Sequence, residues 1–288
     1  MTQMRPYLAW ALAIVGALAA QACTDSDPVG LDGDILVVRA FLFAGEPVVD
    51  IRITTTVPLV SEDTLGMPVS DAAVWLERED IRFDLIATPG SPGAYHYPGS
   101  DLVVESGDVF ELGISRGSES LSATTVVPPP PEGFAVSSEV LEVVDLTAGF
   151  GGFGGRGGGG GGLAFGGVIV RWINPERDLF FVVVDNLETD PEQIPAPEFI
   201  ARARRFVSAP TPADSTSISQ ISLTHLGEYR IRLYRVNQEY ADLYEGRVQD
   251  SRDLNEPPSN IRGGLGVFSA FASQEGRFTA RLQTVEVN

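Results

Sequence analysis

Residues Asp108 to Val127 read DVFELGISRGSESLSATTVV, and the meaning given to their centre decides the fold. Gly113-Ile-Ser115-Arg-Gly117 has the form G-x-S-x-G, the nucleophile elbow of an α/β hydrolase. That elbow holds its serine on a sharp turn between a strand and a helix. Here the residues that follow, Ser118-Glu-Ser-Leu-Ser-Ala-Thr-Thr-Val-Val127, have the composition of a strand. Two strands, Asp108–Ser115 and Ser120–Val127, joined through Arg116-Gly117-Ser118-Glu119, account for the same residues as a β-hairpin. A triad also needs a base, and the chain offers only His96 and His225. His225 follows the serine in the order such hydrolases use, but it falls in a different predicted domain. His96, between Tyr95 and Tyr97, reads as a half-exposed strand residue.

The hairpin reading extends outward. Ile35–Phe43 is a strand candidate closed by Gly45-Glu-Pro47, and Val48–Val57 is rich in β-branched residues that alternate at Ile51, Ile53 and Thr55. Ala73–Glu77 and Ile81–Ile86 are two more, with an acidic turn between them. Short strands at this spacing predict an immunoglobulin-like β-sandwich over residues 34–127. Pro128-Pro-Pro-Pro131 then forms a stiff linker over 128–133. A second β-rich domain with one or two short helices follows over 134–288, so the fold class is mainly β.

The second domain contains Gly149-Phe-Gly151-Gly-Phe-Gly154, within a glycine-rich loop over 149–167. The pattern fits a dinucleotide fingerprint, which requires a helix N-terminus behind the glycines to face the pyrophosphate. Val168–Ile173 behind it is strand-like, and Glu176, at the spacing of a ribose-binding acid, sits in the turn Asn174–Asp178. The run therefore reads as a mobile hairpin loop. Val168–Ile173 and Leu179–Val184 are expected to pair antiparallel, the latter apolar enough for burial on both faces. In Pro195–Ser208, Phe199, Ile200, Ala203, Phe206 and Val207 fit helical spacing, with Arg202, Arg204 and Arg205 opposite. Those arginines suit a carboxylate or phosphate, but a solvated helix face or internal ion pairing explains them more simply. Glu228–Val236 alternates as a strand, and Val236, Tyr240, Leu243 and Tyr244 then mark one side of a short helix. Its tyrosines could stack on a ligand or pack the helix on a sheet.

The N-terminus is an address. Arg5 precedes the apolar run Tyr7–Ala20, which is shorter than the about 20 residues a membrane-spanning helix needs, so residues 1–22 read as a cleaved signal peptide. Ala20-Gln-Ala22-Cys23 resembles the lipobox of bacterial lipoproteins, in which the cysteine carries the lipid; the alternative is an ordinary signal cut near Ala22, with an incidental free thiol. Cys23 is the lone cysteine of 288 residues, excluding an internal disulfide framework. Residues 23–33 form a flexible tether; Asp25–Gly30 approaches a calcium loop, but Val29 and Leu36 occupy positions where that loop needs oxygen ligands. The net charge is −19, and all 20 basic residues are arginines. Such a surface disfavours nucleic acid and anionic headgroups.

Pro257-Pro-Ser-Asn260-Ile-Arg-Gly263-Gly264-Leu-Gly266-Val-Phe268 resembles the near-terminal signature of domain-of-unknown-function family 4249, secreted lipoproteins of Gram-negative bacteria. Val69–Val74 with Gly93-Ala-Tyr95, and Asp108–Pro131, look like further stretches of the same family. The resemblance implies an outer-membrane lipoprotein that accompanies TonB-dependent transporters, with no catalytic residue to carry over. Thr24, where inner-membrane retention uses aspartate, points the same way. Asn260, Gly263, Gly264, Gly266 and Phe268 are the candidate interaction segment, and the glycines equally suit a tight turn with positive φ. No catalytic, cofactor or metal residue is assigned. The expected function is a non-enzymatic envelope module that binds or assists an outer-membrane partner. Its alternatives are a secreted hydrolase using paired carboxylates and a structural adhesion protein.

Overall fold

Alternation along the early strands sets which face each one buries. In the computed structural model, which describes residues 35–49, 51–57, 66–145, 166–195, 205–246 and 258–283, β1 (Leu36–Phe43) turns Leu36, Val38, Ala40 and Leu42 into one core. The signal peptide, Cys23, the tether and residues 149–165 of the glycine run lie outside the described residues. The described residues from Ile35 onward pack as one compact unit.

Six strands follow β1 through the first half: β2 (Ile51–Thr55), β3 (Ala73–Arg78), β4 (Ile81–Ala87), β5 (Ala94–His96), β6 (Val109–Arg116) and β7 (Glu119–Val126). The ladder runs β1-β2-β5 and then β4-β3-β6-β7. Three-residue β5 pairs with both β2 and β4, carrying the ladder round the rim between two layers. Val74 and Leu76 of β3 and Phe110, Leu112 and Ile114 of β6 share a core with Ile51 and Ile53 of β2. This is an immunoglobulin-like sandwich. Tyr95 staples it from inside: its hydroxyl donates to the Val69 carbonyl at 3.0 Å and accepts from the Ala72 N–H at 3.1 Å.

The opening stretch is a hairpin. Ser115 pairs with Ser120 and Arg116 with Glu119, leaving Gly117 and Ser118 as the two-residue turn. Gly117 takes φ +59°, which the primed hairpin turns require. No helix follows Ser115, so the serine of the G-x-S-x-G pattern lies along a strand. The acidic turn between β3 and β4 is also a two-residue primed turn, with both central residues at positive φ and neither a glycine: Glu79 and Asp80 take φ of 51° and 64°.

The second half adds β8 (Glu132–Val136), β9 (Val140–Val143), β10 (Gly167–Ile173), β11 (Leu179–Asn186), β12 (Arg205–Val207), β13 (Ser215–Ser219), β14 (Gly227–Val236), helix α1 (Gln238–Gly246) and β15 (Leu265–Leu282). One sheet runs β12-β11-β14-β15, with β9 on the far side of β15; β13-β10-β8 is the facing layer. Two expectations from sequence are corrected here. β10 does not pair with β11. It alternates, with Val168, Val170 and Trp172 inward, and sits central in the small sheet, whereas β11 is buried on both faces and sits between β12 and β14. Between them Asn174 makes a corner: its amide bonds both the N–H and the carbonyl of Asp178 at 2.9 Å and reaches the Pro212 carbonyl at 3.0 Å. The chain thereby changes layers where a hairpin was expected. Second, within the segment read as helical, Arg205–Val207 form a strand against β11; residues 196–204 lie outside the described residues.

The strands before and after the glycine run, β9 and β10, are not ladder partners. Gln220 nonetheless holds its two ends: its side chain accepts from the Val144 N–H at 3.2 Å, and its own N–H donates to the Gly166 carbonyl at 3.0 Å.

β15 joins the halves. Residues 265–271 pair parallel with β1, residues 271–280 antiparallel with β14, and residues 279–282 parallel with β9. Phe268 and Ala270 enter the core of the first sandwich, and Phe278 and Ala280 that of the second. Phe271, on the opposite side of the strand, enters a third cluster.

Candidate functional site

That third cluster is where, among the described residues, a sheet face is left without a second sheet. Side chains of a strand alternate between faces, so β11 sends Phe180, Val182 and Val184 into the second core and Phe181 and Val183 the other way. β14 does likewise with Tyr234 and Val236, and β1 with Phe41 and Phe43. Helix α1 lies over this face and presses Tyr240 onto it, stacked on Phe181 at 5.2 Å and edge-on to Phe271 at 5.0 Å. Beneath, Phe181 stacks on Tyr234 at 4.9 Å and Phe43 on Phe271 at 5.0 Å.

The helix covers only part of the face, and an aromatic recess of about 400 Å³ remains. Phe181, Val183, Tyr234 and Phe271 are its buried floor; Phe41, Phe43, Tyr240 and Tyr244 are half-buried walls; Arg205 and Val207 of β12 are its exposed rim. Recesses of this size and lining, with few polar groups, are the usual shape of small-molecule sites.

An arginine cluster lies beside the rings. Asp185 receives Arg205 at 2.9 Å, Arg230 at 3.5 Å and Arg232 at 3.9 Å. Arg232 also reaches Glu46 at 3.9 Å and lies 5.9 Å from the centre of the Tyr234 ring. Burial pushes the Tyr234 phenol above its usual range, while the Arg232 and Arg205 charges pull it back. The expectation of internal pairing thus holds for Arg205, while Arg202 and Arg204 lie outside the described residues. The Nε–H groups of Arg230 and Arg232 are buried with no hydrogen-bond partner among the described residues.

A second cleft, of about 480 Å³, lies between Thr124–Val126 of β7 and the start of α1. It holds two carboxylates. Asp178 is engaged by Arg235, and burial raises the pKa of Glu239, partly offset by a backbone hydrogen bond and reinforced by Asp242. Asn237 closes its floor with bonds to the Thr125 hydroxyl at 3.0 Å and the Val126 carbonyl at 2.8 Å.

Asn260, Gly263, Gly264, Gly266 and Phe268 come together in a joint between the layers. Phe268 is fully buried in the first core. The Asn260 amide donates to the Phe268 carbonyl at 2.7 Å and accepts from its N–H at 2.9 Å, standing in for a neighbouring strand along that edge of β15. Gly266 takes φ +117°, and a Cβ there would collide with the Val38 carbonyl of β1; one on Gly263 would meet the Ser120 carbonyl of β7. These residues are spent on internal contacts. His96 and His225 stand in separate halves, each with its Nδ1 against a neighbouring threonine hydroxyl, Thr88 at 2.9 Å and Thr224 at 2.6 Å. Among the described residues no three His, Cys, Asp or Glu are grouped to hold a metal ion, and no helix is long and apolar enough to cross a membrane.

Sequence reasoning reached Arg205, Tyr240 and Tyr244 but missed Phe41, Phe43, Phe181 and Phe271 as one site. The signal was present: the even positions of β1 already supply a core face, so phenylalanines at 41 and 43 need a second apolar environment.

Solved structures similar to this chain include the FN1–FN3 domains of chicken CNTN1, with 12% identity, a TM-score of 0.25, and coverage of 85% of this chain and 66% of that one. Domains A168–A170 from titin match with 13% identity, a TM-score of 0.21, and coverage of 86% and 67%. The sandwich assignment rests on the strand order above. No curated protein matches the chain. Residues 24–151 match the family model described as Domain of unknown function (DUF4249). Val69–Val74, Gly93–Tyr95 and most of the resembling stretches fall inside that match, while Asn260–Phe268 falls beyond it. What the chain shares with domain-of-unknown-function family 4249 is therefore a likeness over residues 24–151.

Proposed function

We propose that this protein is a lipid-anchored module of the cell envelope that binds rather than catalyses, held through Cys23 and serving an outer-membrane partner such as a TonB-dependent transporter. The observation that carries the binding role is the aromatic recess between β12, β11, β14, β15, β1 and α1. Leaving seven aromatic side chains around an open space forfeits packing a closed core would have gained; a site for a bound group gives that arrangement a use. The lipid anchor rests on the signal-like segment that ends at the chain's lone cysteine.

Two measurements test this. Cys23→Ala should move the protein from the membrane to the soluble fraction, and its recovery in membranes at the wild-type level would contradict the anchor. Crosslinked pull-down from solubilised outer membranes should yield a transporter with the wild type and lose it with Val207→Asp at the recess rim. Equal recovery with both proteins would contradict the use of the recess.

The cleft holding Asp178 and Glu239 favours a second reading, a carboxylate-dependent hydrolase. Paired acids work as a glycosidase at separations of about 5 to 9.5 Å. The reading requires hydrolysis of a glycoside panel that both Asp178→Asn and Glu239→Gln abolish; wild-type protein inert on the panel would remove it.

A further inference from the structure

The recess and the arginine cluster share one sheet face, and together they select a ligand. This inference rests on the binding role proposed above. Arg230, Arg232 and Tyr234 are alternate residues of β14, so all three project from the side that Phe181 and Val183 of β11 also use. In the antiparallel ladder Asp185 stands opposite Arg230, and Val183 opposite both Arg232 and Val207 of β12. The cluster therefore adjoins the recess directly, and Arg205 belongs to both.

Its chemistry is a surplus of donors. Each guanidinium offers five N–H groups, and Arg205, Arg230 and Arg232 converge on the two oxygens of Asp185, with Glu46 at the edge. Two of those donors, the Nε–H groups of Arg230 and Arg232, are buried and unmatched among the described residues, and an unmatched buried donor costs about 1 to 3 kcal/mol. Elsewhere on this face Glu275 stands opposite Arg232 in the ladder, and Arg277 is paired with Glu228 at 3.0 Å. Of the three guanidinium groups Arg205 is the one that lines the recess, and a carboxylate, an acceptor-only anion, matches its planar fork.

We propose that the recess binds a free, ring-bearing carboxylic acid. Its ring lies against Phe181, Tyr240 and Phe43, where offset or edge contacts with aromatic neighbours are favourable, and its carboxylate meets Arg205 at the rim. A free small molecule, in place of a peptide, follows from the dimensions: the space is about 400 Å³ and is partly roofed by α1, with room for one ring system and its acid group. Flat rings are held by the aromatic walls, and the acid group supplies direction.

Titration calorimetry on the detergent-solubilised full chain tests the assignment with indole-3-acetate and its neutral amide, indole-3-acetamide, as probes. The acid should bind at least about tenfold more tightly than the amide, as one charge-assisted contact is worth. Arg205→Gln, a change at an exposed position, should bring the acid down to the affinity of the amide and leave the amide unaffected. Tyr240→Leu should weaken both probes together, with circular dichroism confirming an intact fold. Equal affinity of acid and amide for the wild type would overturn the acid assignment while leaving the recess a ring site. An acid preference that survives Arg205→Gln would overturn the placement of the carboxylate. Failure of both probes to bind would overturn the ligand class altogether, yet leave the Val207→Asp pull-down to decide the partner role independently.

Discussion

The two faces of the sheet at β11 carry similar residues and meet different fates. On one, Phe180, Val182 and Val184 lie beneath Trp172, Val170 and Val168 of the small sheet, closed by a whole layer of strands. On the other, Phe181 and Val183 face, among the described residues, only a nine-residue helix, and space remains among the rings. Hydrophobic content alone does not separate a core from a site; what covers the face does. A facing sheet fills the grooves between side chains to the density of a crystal, whereas a single short helix cannot span four strands.

The largest test of that contrast is on the closed face. Phe180→Ala removes a fully buried ring and should cost about 3 to 5 kcal/mol, read as a lower denaturant midpoint with loss of cooperative unfolding if the second sandwich opens first. Asn260→Ala tests the joint that lets both faces share β15. It orphans the N–H and carbonyl of Phe268 and should cost about 2 to 4 kcal/mol, with accelerated amide exchange centred on Phe268. On the open face, Tyr240→Ala removes stacking on Phe181 and edge contacts to Phe41 and Phe271. Half-exposed as it is, it should cost only about 1 to 2 kcal/mol, while ring-ligand binding drops far more than stability. A loss as large as that of Phe180→Ala would mean that the open face is a core like the other.

The smallest effect belongs to the neighbouring cleft. Burial raises the Glu239 pKa in the folded chain, so folding favours its neutral form. That contribution is fully present below the unfolded value of about 4.3 and is lost as pH rises through the raised folded value. Glu239→Gln should therefore raise Tm slightly at pH 7 and leave it unchanged near pH 3. The opposite pattern would mean that the carboxylate is stabilised as an anion.

Much of this was legible in local sequence. The hairpin around Gly117, the acidic turn at Glu79 and Asp80, and the alternation of β1 and β14 each follow from residues adjacent in the chain. The even spacing of short strands was enough for an immunoglobulin-like first half. Pairing across distance was not legible. β10 and β11 are neighbours in sequence with matching apolar character, and nothing in their composition says that Asn174 turns the chain into the other layer. The role of Asn260 was equally hidden, since an asparagine that completes a strand edge looks like any loop asparagine until its partner at Phe268 is located. The recess was readable only in fragments, as its lining comes from five strands and a helix, from Phe41 to Phe271.

The most direct test of the open face is site-specific photocrosslinking in intact cells, with a benzophenone amino acid placed at Val207 on the recess rim or at Ile173 on the outer face of the small sheet. Both positions are exposed, at 40% and 58%, and both lie on strands, so the comparison isolates the face. The account predicts a discrete crosslinked envelope partner from position 207 and none from position 173. The same products from both positions, or products from 173 alone, would contradict it.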